Sequence, residues 1–396
     1  MVNVLGISLD RTIVPGRDWE SDAIYRTVHY ASVLDSYHLV VRHARMASDG
    51  PVRLRENVFV YPTGTRWKPK YVWDAYRIAR GISKRFPVDI IYTQDPLVTG
   101  LIGYRLKRSL KLPLCLSFAG DMIDNAYWVN ESLKLRFYNR LGKWVIPRAD
   151  AYRVVSESEA EKLIGMGISR ERVWLVPPLI PFEQFAHAVG RAIRERYLRE
   201  PGKQRLLLFV GRLVPQKDLP TMLDAMARIV KRHPEALLLM VGEGTERTRL
   251  ERQVADLGLS GDVVFAGPVR YEQVPDFYAA CDALLLSSVY EGNARVLNEA
   301  SASARPVVAT RVSGTPDSVV DGETGYVVDI KDPSQLADRV CRLLDDTPAA
   351  QRMGQAGRAY VLAKYDERKT LAMFREMLET TVRRYAEDGG RRKSRA

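Results

Sequence analysis

Ser287-Ser288-Val289-Tyr290-Glu291-Gly292-Asn293-Ala294-Arg295-Val296-Leu297-Asn298-Glu299-Ala300 is the stretch whose reading decides the fold. Just before it, Ala283-Leu284-Leu285-Leu286 is a short continuous apolar run, the pattern of a strand buried in a parallel sheet. Within it, Val296, Leu297 and Ala300 recur at helical spacing, which predicts a helix opening at Gly292-Asn293. Strand, tight turn and helix N-terminus together make an anion site, because free backbone N–H groups point outward and the helix dipole favours negative charge. Glu291 stands at the mouth of the turn, and Glu299, eight residues on, lies about 12 Å further along a helix axis. Paired carboxylates acting on one glycosidic bond sit about 5–5.5 Å apart in retaining hydrolases and about 6.5–9.5 Å in inverting ones. The spacing suits instead two ends of a long ligand whose phosphates rest on the helix N-terminus. From spacing alone, two surface helix carboxylates is the plainer reading.

The bulk properties set the frame. A chain of 396 residues suggests two domains, and 46% hydrophobic with 27% charged residues is ordinary for globular cores. No apolar run reaches the roughly 20 residues needed to span a bilayer. The N-terminal Met1-Val2-Asn3-Val4-Leu5-Gly6 reads as a first strand and not as a secretory leader. Cys115, Cys281 and Cys341 are widely spaced and in apolar surroundings, which predicts small buried hydrophobes and neither disulfides nor zinc. A cytoplasmic location fits. The formal charge of +12 is concentrated in the first half, with a further cluster at the end, Arg391-Arg392-Lys393-Ser394-Arg395. Such a surplus suits phosphate-bearing substrates, an anionic membrane face or nucleic acid, and equally a solvated arginine-rich surface. No nucleic-acid module is recognisable, so nucleic acid is not expected as a partner.

Along the chain the pattern alternates. Strands are predicted at 2–8, 38–41, 58–61, 89–93, 113–117, 151–155 and 173–176, with helices at 25–34, 73–86, 99–108 and 133–146. Such alternation implies a doubly wound parallel sheet. Prolines 177, 178 and 181 mark a break, and the charged residues 181–204 read as a linker. The pattern then restarts with strands at 205–210, 236–241, 263–265, 306–309 and 325–328, and helices at 219–232 and 247–257. The expected organisation is residues 1–180, a linker at 181–204, residues 205–365, a C-terminal helix at 366–388, and a basic tail at 389–396. Two such α/β halves predict a ligand cleft between domains.

Gly211-Arg212-Leu213-Val214-Pro215-Gln216-Lys217-Asp218 places two cations five residues apart in a loop after a buried strand. Arg supplies a planar fork and Lys a compact charge, a pair suited to the oxygens of a diphosphate. Gly211 lets the backbone approach a ligand. There is no Gly-x-Gly-x-x-Gly after the first strand, and the five histidines show no metal-ligand spacing.

Taken with Glu291 and Glu299, these residues resemble the donor domain of the retaining glycosyltransferases of family 4, which have the GT-B fold of two Rossmann-like domains. The resemblance runs in order through Gly211-Arg212-Leu213, Lys217-Asp218, Val241-Gly242-Glu243-Gly244 and Phe265-Ala266-Gly267. It continues through Ser288-x-x-Glu291-Gly292, Glu299-Ala300, Pro306-Val307-Val308-Ala309-Thr310 and Asp321-Gly322-x-x-Gly325. It implies that Arg212 and Lys217 bind the donor diphosphate and stabilise the leaving group, an electrostatic role needing no metal. It further implies that Glu291 lies against the transferred sugar and Glu299 takes the ribose hydroxyls. Backbone N–H groups of Gly292, Asn293, Ala294 and Arg295 would meet phosphate or sugar, and backbone near Val269 the base. No cofactor is implied beyond the nucleotide-sugar donor.

The departures bear on the acceptor. An aromatic residue and a glycine commonly follow Glu-Gly in the family; here Asn293-Ala294 follow. Where many members place a histidine two residues before an aspartate, this chain has Ala119-Gly120-Asp121, and Gly16 is a loose counterpart of the first loop's glycine pair. Asp121 reads as a proton acceptor or as a helix cap. Ser156 reads as a phosphate contact or as a cap, Glu243 as a donor contact or a solvated charge, and Trp67, Trp73, Trp128 and Trp144 as an acceptor platform or as core. The expected activity is transfer to a glycan, polysaccharide or lipid-linked acceptor, peripheral to an anionic membrane that would contribute about 1 kcal/mol per well-placed cation. A small soluble acceptor and an inactive nucleotide-sugar-binding protein are the alternatives.

Overall fold

The computed structural model describes residues 1–15, 22–44, 50–65, 67–198 and 203–393. It divides into two units, residues 1–179 with 367–396, and residues 180–366.

The first unit runs β1 (Asn3–Ser8), α1 (Asp22–Ala31), β2 (Ser36–Val41), β3 (Val52–Arg55), β4 (Val58–Pro62), α2 (Lys68–Ser83), β5 (Ile90–Thr93) and α3 (Val98–Leu110). It continues with β6 (Leu114–Ser117), α4 (Ala126–Asn130), α5 (Leu133–Val145), β7 (Ala151–Val154), α6 (Glu157–Gly165) and β8 (Val173–Leu175). Among the described residues the sheet order is β3-β4-β2-β1-β5-β6-β7-β8. The chain winds outward from β1 through β2 to β4, then returns to β5 on the other side of β1. Parallel strands buried on both faces need continuous apolar runs, and Ile90 and Ile91 of β5 and Leu114, Cys115 and Leu116 of β6 supply them.

One strand departs from the parallel reading. β3 pairs antiparallel with β4 at the sheet edge. Its Val-Arg-Leu-Arg alternation carries only two apolar residues, and the exposed Arg53 and Arg55 charge an edge that would otherwise invite pairing.

The second unit runs α7 (Phe182–Ala186), α8 (Arg191–Tyr197), β9 (Arg205–Val210), α9 (Leu219–Arg232), β10 (Ala236–Val241), α10 (Arg247–Asp256), β11 (Val263–Gly267) and α11 (Val274–Ala280). β12 (Ala283–Leu286), α12 (Arg295–Ala302), β13 (Val307–Thr310), β14 (Gly325–Val328), α13 (Pro333–Asp345) and α14 (Thr347–Lys364) complete it. Its sheet is β11-β10-β9-β12-β13-β14, all parallel. Residues 181–204, read as a linker from their charge, carry α7 and α8. Phe185 of α7 is 2% exposed and sits in this unit's core, so the stretch belongs to the second unit in packing.

α15 (Glu367–Lys393) belongs to the first unit. Phe374, Met377 and Leu378 are its buried apolar residues, and the neighbouring Met373 is exposed. A period of 3.6 puts 374, 377 and 378 on one face and turns 373 away. Residues 389–393, read as a tail, continue this helix, and 394–396 lie outside the described residues. The Phe374 ring lies 4.5 Å from Tyr30 and 5.6 Å edge-on from Tyr92. Arg153 of β7 completes the cluster, donating to Tyr30 Oη, to Tyr92 Oη at 3.0 Å and to the Pro177 carbonyl at 3.0 Å. Truncating a buried aromatic removes its apolar contacts and leaves a cavity. Phe374→Ala is therefore expected to destabilise the first unit by about 3–5 kcal/mol. A lower denaturation midpoint checks this, and an unchanged one would mean α15 does not hold that core.

Candidate active site

In the second sheet the chain order reverses between β9 and β12, which are neighbours although far apart in sequence. Open α/β sheets leave a crevice at the carboxyl ends of strands at such a switch point. The loops that leave β9 and β12 carry Arg212, Lys217 and Glu291. Topology thus brings together the residues singled out from sequence.

The two loops are tied by several bonds. Lys217 Nζ donates to Glu291 Oε1, and the pair is largely buried, with side-chain exposures of 12% and 10%. Ser288 Oγ donates to the same Glu291 oxygen at 2.7 Å. Val289 N donates to the Gln216 carbonyl at 2.9 Å, Gln216 Nε2 to the Tyr290 carbonyl at 2.9 Å, and Ser287 Oγ to the Lys217 carbonyl at 2.7 Å. Ser287 and Gln216 carry no charge and stand in no spacing pattern, so sequence reading passed over them. Arg212 contrasts with Lys217. It is exposed, and among the described residues its guanidinium has no hydrogen bond or ion pair.

Glycine sets how closely the loops approach. Gly242 has φ of 135°, and a Cβ there would overlap the Gly211 carbonyl. A Cβ on Gly314 would overlap the Gly292 carbonyl, and Gly314 N donates to the Glu291 carbonyl at 3.1 Å. The loops after β9, β10, β12 and β13 therefore meet backbone to backbone.

The helix predicted to open at Gly292-Asn293 begins at Arg295, with Ala294 as an N-cap that offers no side-chain oxygen. Asn293 turns its side chain elsewhere: its Nδ2 donates to Tyr365 Oη at 3.2 Å and its Oδ1 accepts from Asn298 Nδ2 at 3.2 Å. Arg295 N donates to the Asn293 carbonyl at 3.0 Å, so this amide is engaged within the turn. Among the described residues the N–H groups of Asn293 and Ala294 have no intramolecular acceptor. Two successive open amides ahead of a helix are a concavity for an anion.

Glu299, 4% exposed, faces two tyrosines, Tyr278 Oη at 2.8 Å and Tyr271 Oη at 3.2 Å, with Arg295 Nη2 at 3.3 Å. Arg295 Nη2 also donates to Tyr271 Oη at 3.0 Å. Burial first, and then the charge of Glu299, push the Tyr278 hydroxyl well above its usual pKa, so it remains a donor. Oε1 of Glu299 thus takes Tyr271 and Arg295, and Oε2 takes Tyr278. Tyr278 went unnoticed because a lone tyrosine in an apolar helix reads as core, and Tyr271 because it stands in a short polar turn, Tyr271–Gln273. Val269 follows β11 and is half-buried. Glu243 is exposed and accepts from Arg247 Nη1 at 3.2 Å, one helical turn on, the solvated alternative of its two readings.

The acceptor-side candidates lie in the first unit. Asp121 is buried and accepts from Lys162 Nζ and from Asn125 Nδ2 at 2.8 Å, while Asn125 itself caps α4. Asp121 is therefore not a helix cap; it is an ion-paired loop residue. Ser156 is fully buried and caps α6, accepting from Glu159 N at 3.3 Å, while Glu159 Oε2 accepts from Val155 N at 3.0 Å. Ser-x-x-Glu is a capping signature, and the cap accounts for Ser156. Gly16 lies outside the described residues. Gln94, absent from the sequence candidates, ties the switch point of the first sheet: its Oε1 accepts from Ser8 Oγ at 2.6 Å and Leu9 N at 2.9 Å. Among the described residues no group of three His, Cys, Asp or Glu side chains could hold a metal ion, and no helix is long and apolar enough to cross a membrane. The thiols of Cys115 and Cys281 are pushed by burial to about 12.

Comparison with known proteins places this geometry. The family described as glycosyl transferases group 1 matches residues 191–360, and the glycosyl transferase 4-like domain matches residues 23–178. The two matches fall in order, one on each unit, and the fold is GT-B. It is 33% identical to the GDP-mannose-dependent alpha-(1-6)-phosphatidylinositol monomannoside mannosyltransferase of Mycolicibacterium smegmatis, over 51% of this chain and 55% of that protein. It is 35% identical to the D-inositol 3-phosphate glycosyltransferase of Acidothermus cellulolyticus, over 52% of this chain and 49% of that protein. The chain thus spans about half the length of these curated relatives. Sucrose-phosphate synthase from Thermosynechococcus elongatus shares the fold at a TM-score of 0.81 and 21% identity, covering 96% of this chain and 98% of that one. Anabaena HepE, solved with UDP, does so at 0.74 and 18%, covering 96% and 100%.

Tyr278 is the nearest donor to a carboxylate that would otherwise be buried with fewer partners. Hydrogen bonds to charged groups contribute about 1.5–3 kcal/mol, so Tyr278→Phe is expected to lower the second unit's denaturation midpoint accordingly. An unchanged midpoint would show that Arg295 and Tyr271 suffice for Glu299.

Proposed function

We propose that the chain is a retaining, metal-independent glycosyltransferase of family 4 that moves a sugar from a nucleotide-diphosphate donor to a glycan, polysaccharide or lipid-linked acceptor. The observation that carries this reading is Arg212, exposed and unpartnered among the described residues on the loop that also carries Lys217, together with the open Asn293 and Ala294 amides at the same switch point. The Arg212 guanidinium and two open N–H groups match the oxygens of a diphosphate, Lys217 adding a charge that it shares with Glu291, and a carboxylate facing two tyrosines matches a ribose.

In this reading Arg212 and Lys217 stabilise the diphosphate as charge develops on it. The bond from the sugar's anomeric carbon to the diphosphate oxygen breaks, the acceptor oxygen bonds to that carbon from the same face, and the acceptor's proton passes to the departing diphosphate. A short-lived oxocarbenium-like pair joins the two events. Glu291 lies against the sugar. With Asp121 already paired to Lys162, the departing phosphate oxygen is the better proton acceptor. Glu299 holds the ribose, and backbone near Val269 the base. The setting is cytoplasmic and peripheral to a membrane.

A second reading is kept by one observation. The relatives of similar identity include enzymes named for a phosphatidylinositol mannoside and others named for D-inositol 3-phosphate, a lipid and a small phosphorylated polyol. Turnover with a soluble sugar or polyol phosphate, and none with lipid extracts, would select the soluble acceptor.

The test is transfer from a panel of nucleotide sugars with and without a chelator. We expect chelator-insensitive turnover, a product with the donor's anomeric configuration by NMR, and a loss of about 10²–10³-fold in kcat/KM for Arg212→Ala. Because Arg212 is exposed and unpartnered, its unfolding midpoint should not move. Full activity in Arg212→Ala, or chelator-abolished turnover, contradicts the proposal.

A further inference from the structure

α5 packs one face inward through Gly142 and Val145 and leaves an apolar stripe in solvent. Leu133 is 79% exposed, Phe137 63% and Trp144 43%. At 3.6 residues per turn these three fall within about 40° of arc over about 16 Å of helix. Scattered surface hydrophobics are ordinary, but three in register along one solvent-facing line form a patch. Arg140 and Arg136 follow within about 60° on one side of the line and Lys134 lies on the other, while Lys143, further round, is paired to Asp124 at 2.8 Å.

The surroundings extend the pattern. α3 packs against α2 on one side and α5 on the other. Across these three helices the sequence holds one carboxylate, Asp74 of α2, and that one is buried, accepting from Thr65 Oγ1 at 2.6 Å. Arg77, Arg80 and Arg108 are exposed among them, as is Trp73. A layer of cations with protruding aromatic and aliphatic side chains, almost without acid, is the arrangement of a surface that lies on lipid headgroups. The cations meet the phosphates while Leu133, Phe137 and Trp144 enter the acyl boundary.

We propose that the α5 face, with the cations of α2 and α3, is the surface by which this protein sits on an anionic phospholipid bilayer. Charge complementarity selects this occupant over the others. A two-fold pairing of two copies would set like-charged rows against each other. A nucleic acid would use the cations and the rings but has no site for Leu133. The proposal rests on the peripheral-membrane setting proposed above and names its surface; because its test reads vesicle binding alone, it can fail while the donor-site reading stands.

The test is sedimentation of the full chain with vesicles of phosphatidylcholine alone or mixed with phosphatidylglycerol. Binding is expected only to the anionic vesicles, falling as salt is raised. Phe137→Ser with Trp144→Ser, and separately Arg136→Glu with Arg140→Glu, should each weaken it by about tenfold or more, the charge reversals with no change in the unfolding midpoint. Charge reversal in the C-terminal stretch 391–393 should leave most of the binding in place. Wild-type binding retained in both α5 variants overturns the proposal. So does a preference for single-stranded DNA over vesicles, or a dimer that the Phe137 and Trp144 changes dissolve.

Discussion

The junction of the β9 and β12 loops is built around one interaction, the ion pair between Lys217 and Glu291. It joins the loop leaving β9 to the loop leaving β12, and everything proposed for the donor hangs on how these loops meet. Removing two charges from water costs several kcal/mol per ion, and their mutual attraction offsets this only with good geometry and further hydrogen bonds. Ser288 supplies one such bond to Glu291. The two residues are therefore not independent candidates. Deleting either leaves the other buried and unpaired, at a cost of about 3–5 kcal/mol, so loss of activity on deletion would mix folding with chemistry. Arg212 carries no such entanglement, which makes it the informative position.

The sheet topology explains why charges could be placed there at all. β9 and β12 are neighbours with the chain winding away on either side, which leaves a crevice at their carboxyl ends where their loops are tied. Glycines at 242 and 314 bring the loops after β10 and β13 up to those after β9 and β12, where any Cβ would collide with a carbonyl. The result is a site lined largely by backbone, with open amides at Asn293 and Ala294. The first sheet has the same kind of reversal between β1 and β5, and there Gln94 ties the loops together instead of an ion pair.

Much of this was legible in the sequence because it rests on pattern. The apolar run at 283–286 is a fully buried strand, and the Arg212, Lys217, Glu291 and Glu299 set lies in one unit, with Lys217 paired to Glu291. What escaped was whatever pattern does not encode. Val52–Arg55 is too short and too charged to announce a strand. The charge of residues 181–204 hid Phe185, one side chain that anchors the stretch in the second core. The helix start moved from Gly292 to Arg295 because Asn293 bonds Tyr365 and Asn298 instead of capping. Ser156 reads equally as cap or contact in sequence, and the cap is seen only in its hydrogen bond from Glu159 N.

The central claim is that the β9 and β12 loops bind a diphosphate through Arg212 and open amides. Calorimetric titration of UDP, GDP, ADP, CDP and dTDP without divalent metal, into the natural protein and into Arg212→Met, tests it most directly. The account predicts that one nucleoside diphosphate stands out and that Arg212→Met weakens it by about tenfold or more, as expected for losing a charge-assisted contact. No binding by any of the five, or equal affinity in Arg212→Met, would contradict it.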